Sequence, residues 1–519
     1  MSFNIIKALV VVTCSVGFAA CNLNEKLEST LTKGQADSII KADQLLKTAY
    51  NNLQMAYQDF SQVWGMSEIA TDEALGPTRG KDWDDGGVWR ALHEHKWTPD
   101  HLHVANSFNR LLLEQFSATN VLNFHPTPEQ EAEARFLRAL SIFSVLDLYG
   151  QVPYREPNDD LLKAPKVLAP KEAVDFMISE LNAIMPNLGD RPATPAYVAN
   201  KDAARFLLMK IYLNKGTFIN RKAPTFDAAD MQQVITLADQ ITAGGSYSIA
   251  AGDYFKNFAR DNDLISKENI FTQQNGPGIS TNRGDNGNNV YCRWMCTLHY
   301  SMVPSGWNGF TTLSDFYHKF ETGDSRLGGA YPGLTELTGT KVGFLIGQQY
   351  DQNGAKILDR SQRPLIFTEA VELMATGDQV EMSGIRVIKY VPDLLTSNKS
   401  SGSNEAANDF VFFRYADVIL MKAEAQLRTN NAGAGLLLVN DLRAKRGTSA
   451  LPALTLATLL DERGRELYWE GWRRQDLIRF GKFLDPWQLK PADNEKNLVY
   501  PIPTSSLAVN PNLKQNPGY

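Results

Sequence analysis

Glu133-Ala134-Arg135-Phe136-Leu137-Arg138-Ala139-Leu140, running on to Tyr149-Gly150-Gln151-Val152-Pro153, decides the fold. Phe136, Leu140, Phe143 and Leu146 recur at steps of 4, 3 and 3. That spacing puts them on one face of a helix, and an apolar face must dock on a neighbour. Gly150 and Pro153 end the helix, because glycine accepts left-handed backbone and proline cannot continue the ladder. Ala204, Leu207, Leu208 and Ile211 make a second stripe of the same kind, with Gly216 read as its terminator. Arg135-Phe136-Leu137 is echoed by Arg205-Phe206-Leu207 70 residues later. This is about twice the 34-residue period of tetratricopeptide helix pairs, although three residues can match by accident.

Outward from these two helices, residues 35–244 keep a helical pattern. From about 250 to 410 the stripes fade, and Gly, Asn, Pro and Ser dominate stretches such as Asn275 to Asn289 and Ser397 to Asn404. Long loops in a large protein are commonly functional or disordered. Helical spacing returns at Ala416, Ile419, Leu420, Ala423 and Leu427, and again from Leu456 to Trp472. The proline-rich end, Tyr500 to Tyr519, is expected to lie extended over the body. The fold class that follows is mainly α, with antiparallel helix pairs, little sheet and a large loop-rich section. The expected division is 1–20, 21–250 and 251–519.

The chain has 519 residues, 43% apolar and 21% charged, which is ordinary globular usage and excludes a disordered chain, a collagen or a disulfide-stapled miniprotein. A net charge of −6 offers no basic field to nucleic acid. Beyond the first twenty residues no apolar run approaches the ~20 residues of a spanning helix. Those first residues resemble a secretory signal: Lys7, an apolar run from Ala8 to Val12, then Gly17, Phe18, Ala19 and Ala20 before Cys21. A cysteine straight after Ala-Ala resembles a bacterial lipobox, with Phe18 where leucine is usual, so Cys21 is the expected lipidation site. Plain secretion with a free Cys21 is the alternative. Several acyl chains would anchor the protein stably, with Asn22 to about Gly34 as a flexible tether. The mature chain then keeps only Cys292 and Cys296, too few for a disulfide framework.

Several clusters have bland readings that outweigh sharper ones. Glu462, Glu466 and Glu470 share a helix face, but Arg463, Arg465, Arg473, Arg474 and Arg479 surround them. An ion-pair network explains this better than a carboxylate metal site. His93, His95, His101 and His103 lie in eleven residues without a metal-site spacing. Asp82, Asp84 and Asp85 precede Gly86, yet His93 stands where a calcium loop needs its closing glutamate. No cofactor is therefore expected, with structural calcium on a looser oxygen cluster left open. Cys292, Cys296 and His299 lack a fourth zinc ligand, so a short disulfide or two packed thiols is expected. Walker, G-x-S-x-G and H-E-x-x-H motifs are missing, and Arg283-Gly284-Asp285 is a chance tripeptide.

The informative constellation is aromatic. Trp83 and Trp89 sit in a Gly- and Asp-rich loop after Asp72, Glu73 and Arg79. Tyr291, Trp294, Tyr300 and Trp307, with Asn308, sit in the second loop-rich region. Sugar rings have apolar C–H faces that stack on indole, and their hydroxyls need paired donors and acceptors. Trp83 and Trp307 are the expected stacking platforms, with Trp89, Trp294 and Tyr291 as secondary rings. Asp72, Arg79 and Asn308 are the expected hydroxyl partners. The alternative for each ring is core packing.

Five ordered segments together resemble the SusD/RagB family of outer-membrane nutrient-binding lipoproteins. They are the 133–153 stretch, Phe413 to Ala425, Glu462 to Lys482, the lipobox, and the end. That end holds Tyr500-Pro501-Ile502-Pro503, Asn510-Pro511-Asn512-Leu513 and Gln515-Asn516-Pro517-Gly518-Tyr519. The resemblance spans nearly the whole chain. It implies tetratricopeptide-like helix pairs carrying a loop-rich ligand face. It also implies a non-enzymatic role at the cell surface: capturing oligosaccharides, or in some cases peptides, and delivering them to a TonB-dependent SusC-like barrel in the outer membrane. A lipid-anchored glycoside hydrolase is the competing class. It would use Asp72 or Glu73 with a second carboxylate ~5–9 Å away.

Overall fold

A computed structural model describes residues 41–279, 289–395 and 406–519. The signal segment 1–20, Cys21, the tether to Gly34, Arg283-Gly284-Asp285 and Ser397 to Asn404 lie outside the described residues. The helices that organise the rest are α1 (Ala42–Leu53), α2 (Val63–Glu68), α3 (Val88–His93), α4 (Leu102–Val121), α5 (Pro128–Tyr149), α6 (Pro170–Ile184), α7 (Lys201–Ile219), α8 (Ala228–Ala243), α9 (Tyr415–Arg428), α10 (Ala432–Lys445), α11 (Leu456–Leu467) and α12 (Arg473–Arg479).

Helix α5 contains the decisive stretch. The Thr127 hydroxyl accepts from the Gln130 N–H at 3.3 Å while Gln130 Oε1 accepts from the Thr127 N–H at 3.0 Å. This reciprocal pair fixes the helix start, with Pro128 in the first turn where no N–H is needed. Gly150 ends the helix with φ 76°, as its sequence position predicts. Every residue from Phe136 to Tyr149 is buried, so the helix is enclosed all round by α1, α4, α6 and α7 and not by a single neighbour. Helices α1, α4, α5, α6, α7, α8, α9 and α10 pack in that order, each on the next. Links of a few residues, such as 429–431, force neighbours to run antiparallel. The row of tetratricopeptide-like pairs is therefore continuous although the chain leaves it after α8 and returns only at α9.

Two local expectations change. Gly216 does not end α7, which runs on to Ile219. An added Cβ at Gly216 would lie 1.7 Å from the Thr225 backbone oxygen, so the glycine lets the following segment cross the helix. Helix propensity alone favours alanine there by up to about 1 kcal/mol; backbone overpacking outweighs that. Gly216→Ala should lose about 1–2 kcal/mol of stability in urea unfolding, and a gain would show that the contact yields freely. The helix expected from Leu456 to Trp472 stops at Leu467. Trp469 adopts φ 61°; its N–H and indole N–H both donate to Glu73, at 3.2 Å each.

Between α8 and α9 the chain is mostly irregular, as expected, but pinned by short strands. Asn269–Gln273 pairs antiparallel with Phe410–Arg414. Arg386–Ile388 pairs with Val342–Leu345, and Thr78–Arg79 pairs parallel with Met374–Ala375. The C-terminal segment is extended except for one turn of helix, Thr504–Val509. It is tied to the body by Tyr500 O–H on Met66 O and Asn516 Nδ2 on Tyr149 O.

The charged helix α11 lies inside the protein. Glu466 accepts from Arg414 Nη1 (3.0 Å), Arg446 Nη2 (2.8 Å) and Arg326 Nη1 (3.1 Å). Glu462 accepts from Arg326, Arg443 and Arg465. Arg414 also holds Glu268 and Glu470. Burial alone would push the Glu462 carboxyl up; Arg326, Arg465 and Arg443 outweigh it and hold it at about 2. The network expected from the spacing of these glutamates is present, and it joins α10, α11, α9's start and the 324–327 turn.

Candidate functional site

The Trp83 loop begins where the Thr78–Arg79 strand ends. Arg79 and Asp82 exchange both backbone hydrogen bonds, at 2.8 and 3.0 Å. Trp83 then takes φ 59° and Asp85 φ 41°, left-handed conformations that cost a non-glycine residue about 1–3 kcal/mol and persist only when surroundings impose them. Here the surroundings are the 307–309 segment. The Trp83 indole N–H donates to Trp307 O at 2.9 Å. Its ring lies against Gly309, where an added Cβ would come 2.3 Å from Trp83 Cε2.

The 307–309 segment is itself braced. Its three N–H groups donate to Met295, Leu298 and Cys296 carbonyls. Arg79 Nε donates to Gly309 O at 2.9 Å and its Nη1 to Val380 O at 3.1 Å. Arg386 Nη2 donates to Asn308 Oδ1 at 2.8 Å. Neither arginine has a carboxylate partner among the described residues. Burial pulls the Arg79 guanidinium down to about 9. Both are anchors that fix loop backbone from beneath.

This geometry sorts the sequence candidates. Trp83 and Trp307 are half-buried and keep open surface, joined through one hydrogen bond. Phe60, also half-buried, fills the space between them, 5.9 Å from Trp83 and 6.1 Å from Trp307 by ring centroid. Trp89 is 2% exposed, stacks on Phe60 at 5.6 Å and donates to Asp85 Oδ2. Trp294 at 1% and Tyr291 at 3% are core rings, Tyr291 standing edge-on to Trp307 at 6.1 Å. Arg79 and Asn308, each 1% exposed, act on the loop and not on solvent. Asp72 lies elsewhere: both its oxygens accept from Arg473, at 2.7 Å each. Burial alone would raise its carboxyl, but Arg473 holds it below the ordinary carboxylate range. The secondary rings and the three polar candidates thus support the platform or other contacts, because the loops carrying them are folded under.

Sequence reasoning left out the polar rim. Tyr300 O–H donates to Asp82 Oδ2 at 2.8 Å. Arg360 lies over the Tyr300 ring at 4.2 Å, 3.5 Å from Asp82, and donates through Nε to Glu381. His299 Nδ1 accepts from the Ser301 N–H at 3.0 Å, so its Nε2–H donates to Glu381 Oε2 at 2.9 Å. Tyr300 stands among the aromatics of its segment and could have been chosen. Arg360 carries no local signal, because its partners come from distant loops. A pair of half-exposed indoles beside fixed phenol, guanidinium and carboxylate groups can stack a flat apolar face and bond neighbouring hydroxyls.

The other clusters disperse. Asp82 faces Tyr300 and Arg360, Asp84 binds Arg90, and Asp85 binds Trp89. His93 Nε2 and His101 Nε2 donate to the Gln488 and Val88 carbonyls. Cys292 and Cys296 are free and buried. No group of three or more His, Cys, Asp or Glu suited to a metal ion occurs among the described residues.

Burial pulls His103 down to about 3. A folded value below the usual 6.5 means that the unfolded chain binds the extra proton first. Stability from this group is present above about 6.5 and lost as pH falls toward the folded value. His103→Leu should therefore gain melting temperature relative to the parent as pH drops from 6.5 to 4. Parallel pH curves for the two proteins would refute a neutral buried His103.

The SusD family model matches residues 267–491. The chain is 25% identical over 499 residues to the starch-binding protein SusD of Bacteroides thetaiotaomicron, covering 89% of this chain and 86% of that protein. A SusD superfamily protein from Parabacteroides distasonis has the same fold at TM-score 0.70 and 17% identity, covering 94% of this chain and all 100% of that one. Surface glycan-binding protein A from Bacteroides thetaiotaomicron, solved with laminarihexaose, superposes at TM-score 0.66 and 18% identity over 92% of this chain and 98% of that one. Family match, relatives and helical row agree: the chain is similar to SusD-like proteins in sequence and has their fold.

Proposed function

We propose that this protein captures oligosaccharides on the Trp83–Trp307 platform and delivers them to a SusC-like TonB-dependent barrel in the outer membrane. The observation that carries the reading is the platform itself. Two indoles stay partly exposed while a hydrogen bond, the close approach of Gly309 and two buried arginines fix them in place. Rigid rings lose little entropy on binding and tolerate the repeating shape of a glycan. The names of the relatives, one starch-binding and one complexed with laminarihexaose, support a glucan as ligand. Asp82, Tyr300 and Arg360 join the platform as hydroxyl partners. Trp89, Trp294, Tyr291, Arg79 and Asn308 position it.

The proposal includes lipidation at Cys21, cell-surface location, a helical part to about residue 250 and a ligand-bearing part from 251 onward. Hydrolysis by Asp72 or Glu73 is disfavoured. Asp72 commits both oxygens to Arg473, and Glu73 is 1% exposed under Trp469.

Calorimetry against starch-derived, laminarin-derived and other oligosaccharides, alongside a peptide panel, tests the ligand class. Glycan binding without release of reducing ends is the expected result; binding of peptides alone, or sustained turnover, overturns it. Recovery of the barrel with this protein from detergent-solubilised membranes tests the partner. Recovery of the protein alone, with its barrel intact and abundant, overturns that part.

A further inference from the structure

A cleft of about 710 Å³ opens between α1, the first turns of α5 and the 193–198 segment, and it shares no lining residue with the aromatic platform. Its volume lies within the ~300–1,000 Å³ of small-molecule sites. Tyr50 and Tyr197 line it, both half-buried, and offer ring surface. Tyr50 O–H donates to Glu133 Oε2 at 2.5 Å and accepts from the Ala199 N–H at 2.9 Å. This holds the Glu133 carboxylate in one orientation, with Oε1 given no donor by any described residue. Asn51 and Gln274 line the same cleft, and their side chains bond to no described residue.

The donor set restricts the ligand. An apolar molecule would strip water from a carboxylate and two amides without replacing their hydrogen bonds. An anion would meet Glu133 with only the exposed Lys47 to offset it, beside Asp43 and Glu129. Amides that both donate and accept, a fixed acceptor oxygen and phenol rings suit a chain of hydroxyls on apolar ring faces. We propose that the cleft formed by Tyr50, Tyr197, Glu133, Asn51 and Gln274 is a second saccharide site, which binds a short neutral oligosaccharide independently of the Trp83–Trp307 platform.

The test is calorimetry with a panel of neutral hexasaccharides that includes laminarihexaose and maltohexaose. It starts from the double variant Trp83→Ala, Trp307→Ala, which removes the platform. That variant is expected to retain binding to a member of the panel. Adding Tyr197→Ala or Gln274→Ala should weaken the retained binding about tenfold or more. The Gln274 side chain bonds to no described residue, so that variant is expected to keep the parent's melting temperature, which is measured alongside. The proposal is overturned if the double variant binds nothing, or if both cleft substitutions leave the retained binding unchanged. It is also overturned if the cleft substitutions abolish binding of a lysine-rich peptide and of no saccharide. The tryptophan variants alone report on the platform and the cleft variants alone on the cleft, so the two readings fail separately.

Discussion

Glu466→Ala is expected to cost about 3–5 kcal/mol of unfolding free energy, the usual result of removing one partner from a buried ion network. Glu466 is fully buried and accepts from three arginines, Arg326, Arg414 and Arg446. Without it these cations lose a shared counter-charge and face one another across a gap that water cannot easily fill. Glu268, Glu470, Glu462 and Asp324 still neutralise part of the charge, so the fold should survive, weakened. Burial pushes the Glu466 carboxyl up; Arg446, Arg414 and Arg326 outweigh it and hold the group far below the ordinary range. Its stabilisation is thus present above about pH 4.5 and lost as the solution is acidified below that. Urea unfolding at pH 7 and pH 3 measures both effects. The gap between parent and variant should narrow at the lower pH. A loss under about 1 kcal/mol at pH 7 would mean that the remaining carboxylates suffice and the convergence on Glu466 is incidental.

That network was legible in the sequence because it begins locally. Glu462 and Glu466 lie one turn apart on α11, and an acidic face crowded by arginines has few other readings. The helices were legible for the same reason: a stripe at steps of three and four needs no partner to be seen. What escaped depends on residues far apart in the chain. Trp89 and Trp294 sit in polar, glycine-bearing loops that look exposed, and only the fold reveals that Phe60 and Phe310 pack on Trp89 and that Trp294, beside Tyr291, is buried. Asp82, Tyr300 and Arg360 form one rim although Arg360 is separated from Asp82 by the whole α4–α8 row. Gly216 and the end of α11 at Leu467 depart from local helix rules because tertiary contacts, with Thr225 O and Glu73, override them.

Trp83→Ala and Trp307→Ala should each cost about 1–3 kcal/mol in glycan affinity, or about 5- to 150-fold. Both rings are half-buried, so part of the effect must fall on stability. Pure core rings would instead lose about 3–5 kcal/mol of stability and leave affinity unchanged. Truncation cannot separate loss of the ring from loss of its orientation, and Gly309→Ala can. A Cβ there would come 2.3 and 2.4 Å from Trp83 Cε2 and Cζ2, so the intact indole must tilt and strain its hydrogen bond to Trp307 O. If orientation matters, Gly309→Ala weakens glycan binding nearly as much as Trp83→Ala while Trp83 is still present. If only apolar area matters, affinity stays within about twofold of the parent, because area burial is non-directional. Measuring the three variants by calorimetry, with melting temperatures alongside, decides whether Gly309 and the arginine anchors beneath it serve recognition. Lost stability with full affinity in all three would remove the platform from the ligand site.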